Sequence, residues 1–292
     1  SYMVTRDEQH STRGRANALR MLLSGALPPS ELAGERMREV MDLCVECKGC
    51  TAECPSRVNM TRLKSEWLAQ VYAEQGTPLR ARLFGHIRQL SQAGSALAPL
   101  ANRALHAPGA GWLGERLLGI SRQRTLPEFA REPFHRWFQR RAQSEDGGCR
   151  IEDRGLQSPI LNPQFLRTVV LFPDTFTNYN EPSVGRAAVR VLEAAGYEII
   201  MPRRRVCCGR ALISKGLLGQ AQALAREQLE WLAPYAEAGL PIVGLEPSCI
   251  LTFRDELPDL VDDPRTAALA QHTFLFDEFL ADVDHWKELD KP

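Results

Sequence analysis

One stretch decides the fold of the first part of this chain: Cys44-Val45-Glu46-Cys47-Lys48-Gly49-Cys50-Thr51-Ala52-Glu53-Cys54-Pro55. Its cysteines follow the spacing C-x2-C-x2-C-x3-C-P, in which thiolates hold a 4Fe-4S cluster. Gly49 favours the tight turn that lets Cys44, Cys47 and Cys50 reach one cluster. In such runs the fourth cysteine, here Cys54, ligates a different cluster. The spacing therefore predicts iron-sulfur binding, with Cys54 serving a second centre.

A structural zinc site is an alternative for these four thiols, as are disulfides. Zinc sites made of two CxxC pairs separate the pairs by a longer stretch of chain, so that the four sulfurs can close a tetrahedron. Here all four cysteines lie within eleven residues. The spacing favours iron-sulfur over both alternatives.

Composition is that of a globular protein with room for two or three domains: 292 residues, 44% hydrophobic and 25% charged. The eight cysteines comprise the run, the adjacent Cys207 and Cys208, and the single Cys149 and Cys249. This clustering favours metal binding in a reducing cytoplasm over a secreted disulfide framework. Because there is no apolar run of membrane-spanning length and no signal peptide pattern, we expect a cytoplasmic chain, at most peripheral on the inner face of a membrane.

Charge and pattern divide the chain into modules. Residues 1–150 hold 22 Lys/Arg against 15 Asp/Glu, whereas residues 151–292 hold 14 against 21. We predict an α plus α/β protein: an all-helical ferredoxin-like domain at 1–78, a basic helical region at 79–142, a linker at 143–164 and an α/β domain at 165–292. In the first domain, helices are predicted from Ser11 or Thr12 to about Ser24, from Pro29 to Met41 and from Thr61 to Glu74.

The basic region from Arg80 to Arg141 carries 11 arginines and three acidic residues, interleaved with aromatic and leucine side chains. A peripheral membrane or anionic-partner surface, a nucleic-acid surface and a docking surface for another domain are all open, as is a merely solvated helical face. We favour docking on another domain, since the arginines are scattered and no nucleic-acid motif accompanies them.

The second half alternates strands and helices. Strands are predicted at 168–172, 197–201 and 241–245, with helices at about 183–195 and 217–232, which indicates a small parallel sheet. Ligand sites of parallel sheets lie beyond the carboxyl ends of the strands. The three strands are followed there by Asp174, by Cys207-Cys208-Gly209 and by Glu246-Pro247-Ser248-Cys249.

These residues predict a metal or cluster site. Adjacent thiolates do not readily form a disulfide with each other but can both reach one metal centre. The alternative is that Cys207 and Cys208 are small buried residues of the core. Cys149 lies alone in the predicted linker and is interpreted as a bystander. The sequence has no G-x-G-x-x-G motif after a strand, no phosphate-binding loop and no serine nucleophile elbow.

The two cysteine motifs together resemble a known family, the iron-sulfur portion of FAD-linked oxidases of the D-lactate and D-2-hydroxyglutarate dehydrogenase type. In that portion a ferredoxin domain is joined to a cysteine-rich CCG domain, as in the iron-sulfur subunit of anaerobic glycerol-3-phosphate dehydrogenase and in heterodisulfide reductase. The stretch from Asp174 to Tyr179 and Glu246-Pro247-Ser248-Cys249 are also similar to that subgroup. The opening from Ser1 to Ala16 is similar to the segment after the first cluster's Cys-Pro, so we expect a fragment that is truncated at its start.

The resemblance implies an electron-transfer module. A flavin domain or subunit outside this chain would oxidise a D-2-hydroxy acid, and 4Fe-4S clusters would pass its electrons to a quinone or a redox protein. No nucleic acid is implied. Two rival functions remain: a stand-alone iron-sulfur subunit and a structural zinc-binding interaction module. The chain also departs from the family pattern, because Asp174 and Glu246 stand where CCG domains often have cysteines, which indicates a mixed-ligand metal site or a degenerate scaffold.

Overall fold

The computed structural model describes residues 2–56, 58–143, 149–152, 167–202 and 207–281. Much of the predicted linker at 143–164 therefore lies outside the described residues. The chain forms two compact units. Unit 1 comprises Ser1–His86 with Ala211–Gln220, and unit 2 comprises Ile87–Arg210 with Ala221–Pro292. These ranges differ from the four sequence regions, whose boundaries stay predictions.

Unit 1 is helical in its described part. Its elements are α1 (Tyr2–Thr5), α2 (Thr12–Leu23), α3 (Glu35–Asp42), α4 (Gly49–Glu53), α5 (Met60–Gln75) and α6 (Leu79–Gly85), with 3-10 turns at Glu8–His10 and Pro29–Ala33. Ser11 caps α2 by accepting from the Gly14 amide, and Asn59 caps α5 by accepting from the Arg62 amide. These helices agree with the predicted ones, except that the predicted helix from Pro29 to Met41 is interrupted at Gly34.

The core of unit 1 joins α2, α3 and α5. Leu19, Met41, Met60 and Trp67 are buried in it, and Met41 is completely enclosed. Polar side chains fix the helices to one another, because the Arg15 Nε donates to the Val40 carbonyl over 2.9 Å and the Trp67 Nε1 donates to the Leu32 carbonyl over 2.8 Å. This packing sets the end of α3 at the point where the cysteine run begins.

Unit 2 holds a parallel sheet covered by helices. Its strands are β1 (Cys149–Glu152), β2 (Thr168–Phe172), β3 (Glu198–Pro202), β4 (Ile242–Gly244) and β5 (Thr273–Leu275), in the spatial order β1-β3-β2-β4-β5. Its helices are α7 (Ile87–Ala96), α8 (Ala98–Leu105), α9 (Ala110–Leu118), α10 (Phe134–Ala142), α11 (Thr175–Tyr179), α12 (Pro182–Ala194), α15 (Pro247–Asp255), α16 (Leu257–Leu260), α17 (Arg265–Gln271) and α18 (Phe276–Ala281). Two further helices, α13 (Arg210–Ser214) and α14 (Leu218–Glu237), begin or end in unit 1.

Alternating side chains of the strands build a separate core on each face of the sheet. Val169 and Leu171 of β2 pack with α10 and α12 on one face, whereas Val170 and Phe172 pack with α14 and α15 on the other. Since both faces are buried, the strands are continuous apolar runs, as parallel sheets require. The small parallel sheet predicted from the sequence is confirmed.

Two strands were not predicted. β1 occupies part of the predicted linker and pairs with β3, and β5 pairs with β4 at the opposite edge. Both are only three or four residues long. Short edge strands carry too few residues for an alternation to be recognised in the sequence, and they exist because a neighbouring strand offers its backbone groups.

Candidate metal centres

The cysteine run forms a tight loop between α3 and α5. Two of its non-glycine residues adopt left-handed backbone angles, Glu46 with φ of 58° and Lys48 with φ of 62°. Each such residue stores roughly 1–2 kcal/mol of strain. α4 then carries Cys50, and the Cys54 amide closes that helix by donating to the Cys50 carbonyl. The strain has a structural result, because it turns the chain back at the two residues that separate successive cysteines.

Lys64 of α5 anchors this loop. Its Nζ donates to the Cys44 carbonyl over 2.6 Å and lies 3.7 Å from the Glu46 Oε1. The lysine and the glutamate are both buried. A buried ammonium must be paired, so this contact defines where the loop leaves α3. The sequence contained no signal for Lys64, which is 20 residues from Cys44.

All four thiols of the loop are free: Cys47 is exposed and Cys44, Cys50 and Cys54 are half-buried. Accessible thiols on a tightly turned loop are the donor set that a 4Fe-4S cluster takes, so the residues fit that group. No group of three or more Cys, His, Asp or Glu side chains among the described residues is close enough to hold a single metal ion. The structure thus places the predicted ligands on one loop without a closed site for one ion.

A cleft of about 480 Å³ lies beside the loop within unit 1 and is lined in part by Lys64, Arg80 and Lys215. Burial lowers the pKa of Lys215, and the charges of Lys64 and Arg80 lower it further, while Glu46 opposes them. Lys215 was not singled out in the sequence, because its contact with this region depends on the return of residues 211–220 to unit 1.

The second candidate centre lies at the carboxyl ends of β2 and β4, neighbouring strands at the point where the strand order reverses. Asp174 directly follows β2 and caps α11, where its Oδ1 accepts from the Phe176 and Thr177 amides, both over 2.9 Å. Its Oδ2 is buried and has no hydrogen-bond partner in the described part of the chain. Burial raises the pKa of Asp174, although the hydrogen bonds with Thr177 oppose the change.

Three buried or half-buried thiols surround this position. The hydrogen bond between Cys207 and Cys208, together with burial, raises the pKa of Cys207 well above its usual value. The same bond lowers the pKa of Cys208, but the bond with Cys249 and burial outweigh it, so the pKa of Cys208 also rises. For Cys249, the bond with Cys208 is outweighed by burial and by the charge of Asp174, so its pKa rises too. The thiols are therefore protonated near neutral pH, and a metal would have to displace their protons.

Two further side chains shape this centre and were missed by sequence reasoning. Gln228 of α14 is completely buried and its Nε2 donates to the Cys207 carbonyl. The Thr175 hydroxyl donates to the Cys207 sulfur over 3.7 Å. Glu246 is turned toward α15, which it caps by accepting from the Ser248 hydroxyl over 2.7 Å. The fold thus brings Asp174, the three cysteines and Glu246 into one neighbourhood, and it gives both carboxylates a capping role.

Comparison with protein families matches both parts of this arrangement. Residues 1–59 match the model of a 4Fe-4S dicluster domain, and residues 170–254 match that of a cysteine-rich domain named CCG. This chain is an iron-sulfur module of the ferredoxin and CCG type. The resemblance drawn from its sequence is confirmed, and the two domains support an electron-transfer role within an oxidoreductase. The ferredoxin-like detail of the helical unit stays a prediction.

Curated relatives of the iron-sulfur module are components of dehydrogenases and related proteins. The C-type subunit of anaerobic glycerol-3-phosphate dehydrogenase from Escherichia coli (strain K12) is 26% identical over 73% of this chain and 48% of its own length. D-2-hydroxyglutarate dehydrogenase of the same organism is 25% identical over 88% of this chain and 28% of its own length. Lactate utilization protein A of Exiguobacterium sp. is 34% identical over 39% of this chain and 48% of its own length.

The iron-sulfur module therefore spans about half the length of the first of these relatives and about a quarter of the second. No solved structure matches it significantly. Within the described ranges, none of its helices has both the length and the apolar character needed to cross a bilayer.

Proposed function

We propose that the chain is the electron-transfer module of an FAD-linked D-2-hydroxy acid dehydrogenase of the D-lactate or D-2-hydroxyglutarate type. In this proposal FAD is bound by a domain or subunit outside the chain, the electron acceptor is a quinone or a redox protein, and the location is cytoplasmic. One observation carries the proposal: a dicluster domain and a CCG domain occur in one chain that matches dehydrogenase components. The chain alone is not expected to oxidise a substrate, and no nucleic acid takes part.

The ligands in this proposal are the cysteines of the loop. Cys44, Cys47 and Cys50 hold one 4Fe-4S cluster, and Cys54 serves a second. A bound cluster supplies one-electron transfer. Lys64 holds the start of the loop through the Cys44 carbonyl and places its positive charge beside the thiolates, which favours their ionised form. The left-handed backbone at Glu46 and Lys48 presets the turn, so less ordering is needed when the ligands bind.

The CCG centre is proposed as a metal-capable site formed by Cys207, Cys208 and Cys249, with Asp174 and Glu246 as further ligands. The unpaired Asp174 Oδ2 supports this, because a buried carboxylate oxygen without a donor is costly unless a cation or a proton meets it. Gln228 fixes the Cys207 carbonyl, so the adjacent thiols are presented on a backbone that is held in place.

Anaerobic purification of the whole natural polypeptide tests this function. We expect a brown protein that contains iron and acid-labile sulfide and absorbs broadly near ~400 nm. Exchange of Cys44, Cys47 or Cys50 for serine should remove one set of reducible centres, and Cys54→Ser should affect a different one. A colourless anaerobic preparation that contains zinc instead of iron would overturn the proposal in favour of a structural zinc module.

A second candidate is a stand-alone iron-sulfur subunit that meets its flavoprotein non-covalently. The match to a relative that is itself named as one subunit of a dehydrogenase favours it. The two candidates differ in one measurable property, because FAD would be found in the same polypeptide as the iron in the first case and in a separable chain in the second. Denaturing electrophoresis of the purified flavin-containing protein distinguishes them.

A further inference from the structure

Unit 2 exposes a group of large apolar side chains on two consecutive helices that contact each other, α8 and α9. We call this group the Leu/Trp patch; its members are Leu97, Leu100, Trp112, Leu113 and Leu117. Three of them are well over half exposed: Leu100 at 67%, Leu117 at 66% and Trp112 at 57%. Large apolar side chains grouped in this way mark an interaction surface rather than an ordinary solvent face.

Helical spacing places the patch on one side of each helix. In α9, Trp112 and Leu113 lie one turn before Arg116 and Leu117, so all four share a face. In the stretch that leads into α8, Leu97 lies three residues before Leu100, again on one face. The opposite side of α8 is occupied, because the Asn102 side chain bonds to both the amide and the carbonyl of Phe129. The apolar faces therefore point away from the rest of the unit.

The charge around the patch has one sign. Residues 87–126 contain five arginines, one glutamate, no lysine and no aspartate. The single acid, Glu115, is itself paired with Arg122 over 3.6 Å. Arg103 and Arg116 are exposed and make no ion pair with any carboxylate in the described part of the chain. An anionic surface is the electrostatic complement of this region.

We propose that the Leu/Trp patch docks on the anionic surface of a lipid bilayer. Leucine and tryptophan side chains enter the boundary between headgroups and acyl chains, while neighbouring arginines contact the lipid phosphates. The patch side chains project outward, whereas the cavity beside α9 is lined by others such as Leu105, Ile120 and Leu126. Projecting apolar side chains need no fixed complementary pocket in a fluid interface, which favours lipid over a protein partner.

This docking is peripheral and does not depend on the proposed electron transfer. It uses none of the candidate ligands, and it requires neither iron nor flavin. If the acceptor is a quinone, docking would keep the module at the surface in which that quinone is dissolved. A failure of lipid binding and a failure of the electron-transfer proposal are therefore seen in separate measurements, sedimentation in one case and iron content in the other.

Co-sedimentation of the whole natural polypeptide with vesicles tests the proposal. We expect binding to phosphatidylcholine vesicles that contain phosphatidylglycerol, little binding to pure phosphatidylcholine, and weaker binding as salt is raised. Leu113→Ser with Leu117→Ser should weaken binding roughly tenfold or more, because two apolar side chains no longer insert. Arg116→Gln should weaken it about fivefold. Trp112 emission should shift to the blue on binding, with Trp112→Phe as the assignment control.

Matched controls lie outside the patch. Leu23 is 85% exposed in unit 1, and Arg226 is exposed on α14, so Leu23→Ser and Arg226→Gln should leave vesicle binding unchanged. The proposal is overturned if the polypeptide does not bind anionic vesicles, or if the patch and control variants bind equally. It is also overturned if residues 1–292 alone bind vesicles but the whole polypeptide does not, since the patch would then be covered by protein.

Discussion

Lys64 is the side chain on which the geometry of the cysteine loop depends most directly. Its replacement in Lys64→Met removes the donor to the Cys44 carbonyl and leaves Glu46 beside an apolar side chain. We expect the free energy of unfolding to fall by roughly 1–3 kcal/mol, because a buried carbonyl loses its partner. We also expect iron to be lost faster to a chelator under anaerobic conditions.

Two matched variants make this prediction specific. Lys64→Arg keeps a charged donor and should retain more iron than Lys64→Met. Arg62→Met removes an exposed cation from the same helix and should behave as the unmodified chain. Equal rates of iron loss from Lys64→Met and Arg62→Met would show that Lys64 does not position the loop.

Lys215 provides a prediction on pH. Its pKa in the folded chain is below the ordinary value of 10.5, because of burial and the nearby charges of Lys64 and Arg80. Between these two values the unfolded chain binds more protons than the folded chain, so stability rises with pH across that window. Below it the folded chain holds an unfavourable charge.

Lys215→Met should therefore raise the free energy of unfolding near neutral pH, by a few tenths to about 1 kcal/mol. The advantage of the variant should shrink as pH approaches 10.5 and the lysine loses its charge. Urea unfolding at a series of pH values measures both. A variant that is less stable than the unmodified chain at neutral pH would contradict this account.

At the scale of elements, two helical glycines should respond oppositely to the same change. A Cβ at Gly185 of α12 would lie 2.7 Å from the buried ring of Phe134, whereas a Cβ at Gly114 of α9 would meet nothing within 4 Å. Gly185→Ala should cost about 1–3 kcal/mol through overpacking between α12 and α10. Gly114→Ala should stabilise by about 0.5–1 kcal/mol, because alanine is the better helix former.

Thermal unfolding of the two variants measures this difference directly. Since both substitutions add one methyl group to a helix, the contrast isolates the packing of α12 on α10. If Gly185→Ala were as stable as Gly114→Ala, the close approach of these helices beneath the sheet would be wrong.

At the scale of the whole molecule, the two compact units have separate cores. Met41 lies in the core of unit 1, and Leu229 lies in a core of unit 2. Met41→Ala and Leu229→Ala should each cost about 2–5 kcal/mol, because each leaves a cavity in close-packed surroundings. The loss should be confined to the unit that carries the change.

Amide hydrogen exchange detects this confinement. Met41→Ala should raise exchange in α5, and Leu229→Ala should raise exchange in β2, while each leaves the other element protected. Equal loss of protection in both elements after either substitution would mean that the chain unfolds as one cooperative body.

The sequence by itself determined the chemistry of the cysteine run and the order of the main elements. Four thiols within eleven residues restrict the ligand class through local spacing alone. β2 and β3 were predictable because their buried apolar runs are bounded by turn signals, and α2 was predictable because Ser11 supplies a local cap. These are interactions between residues close in sequence.

Only the tertiary structure decided what surrounds the candidate sites. It brought Lys64 to Cys44, Lys215 to the cleft beside α3 and α5, and Gln228 to the Cys207 carbonyl. It also gave Asp174 and Glu246 their capping roles and added the edge strands β1 and β5. The physical reason is that each of these contacts joins groups that only the packing of helices and strands brings together, so no local pattern of residues records them.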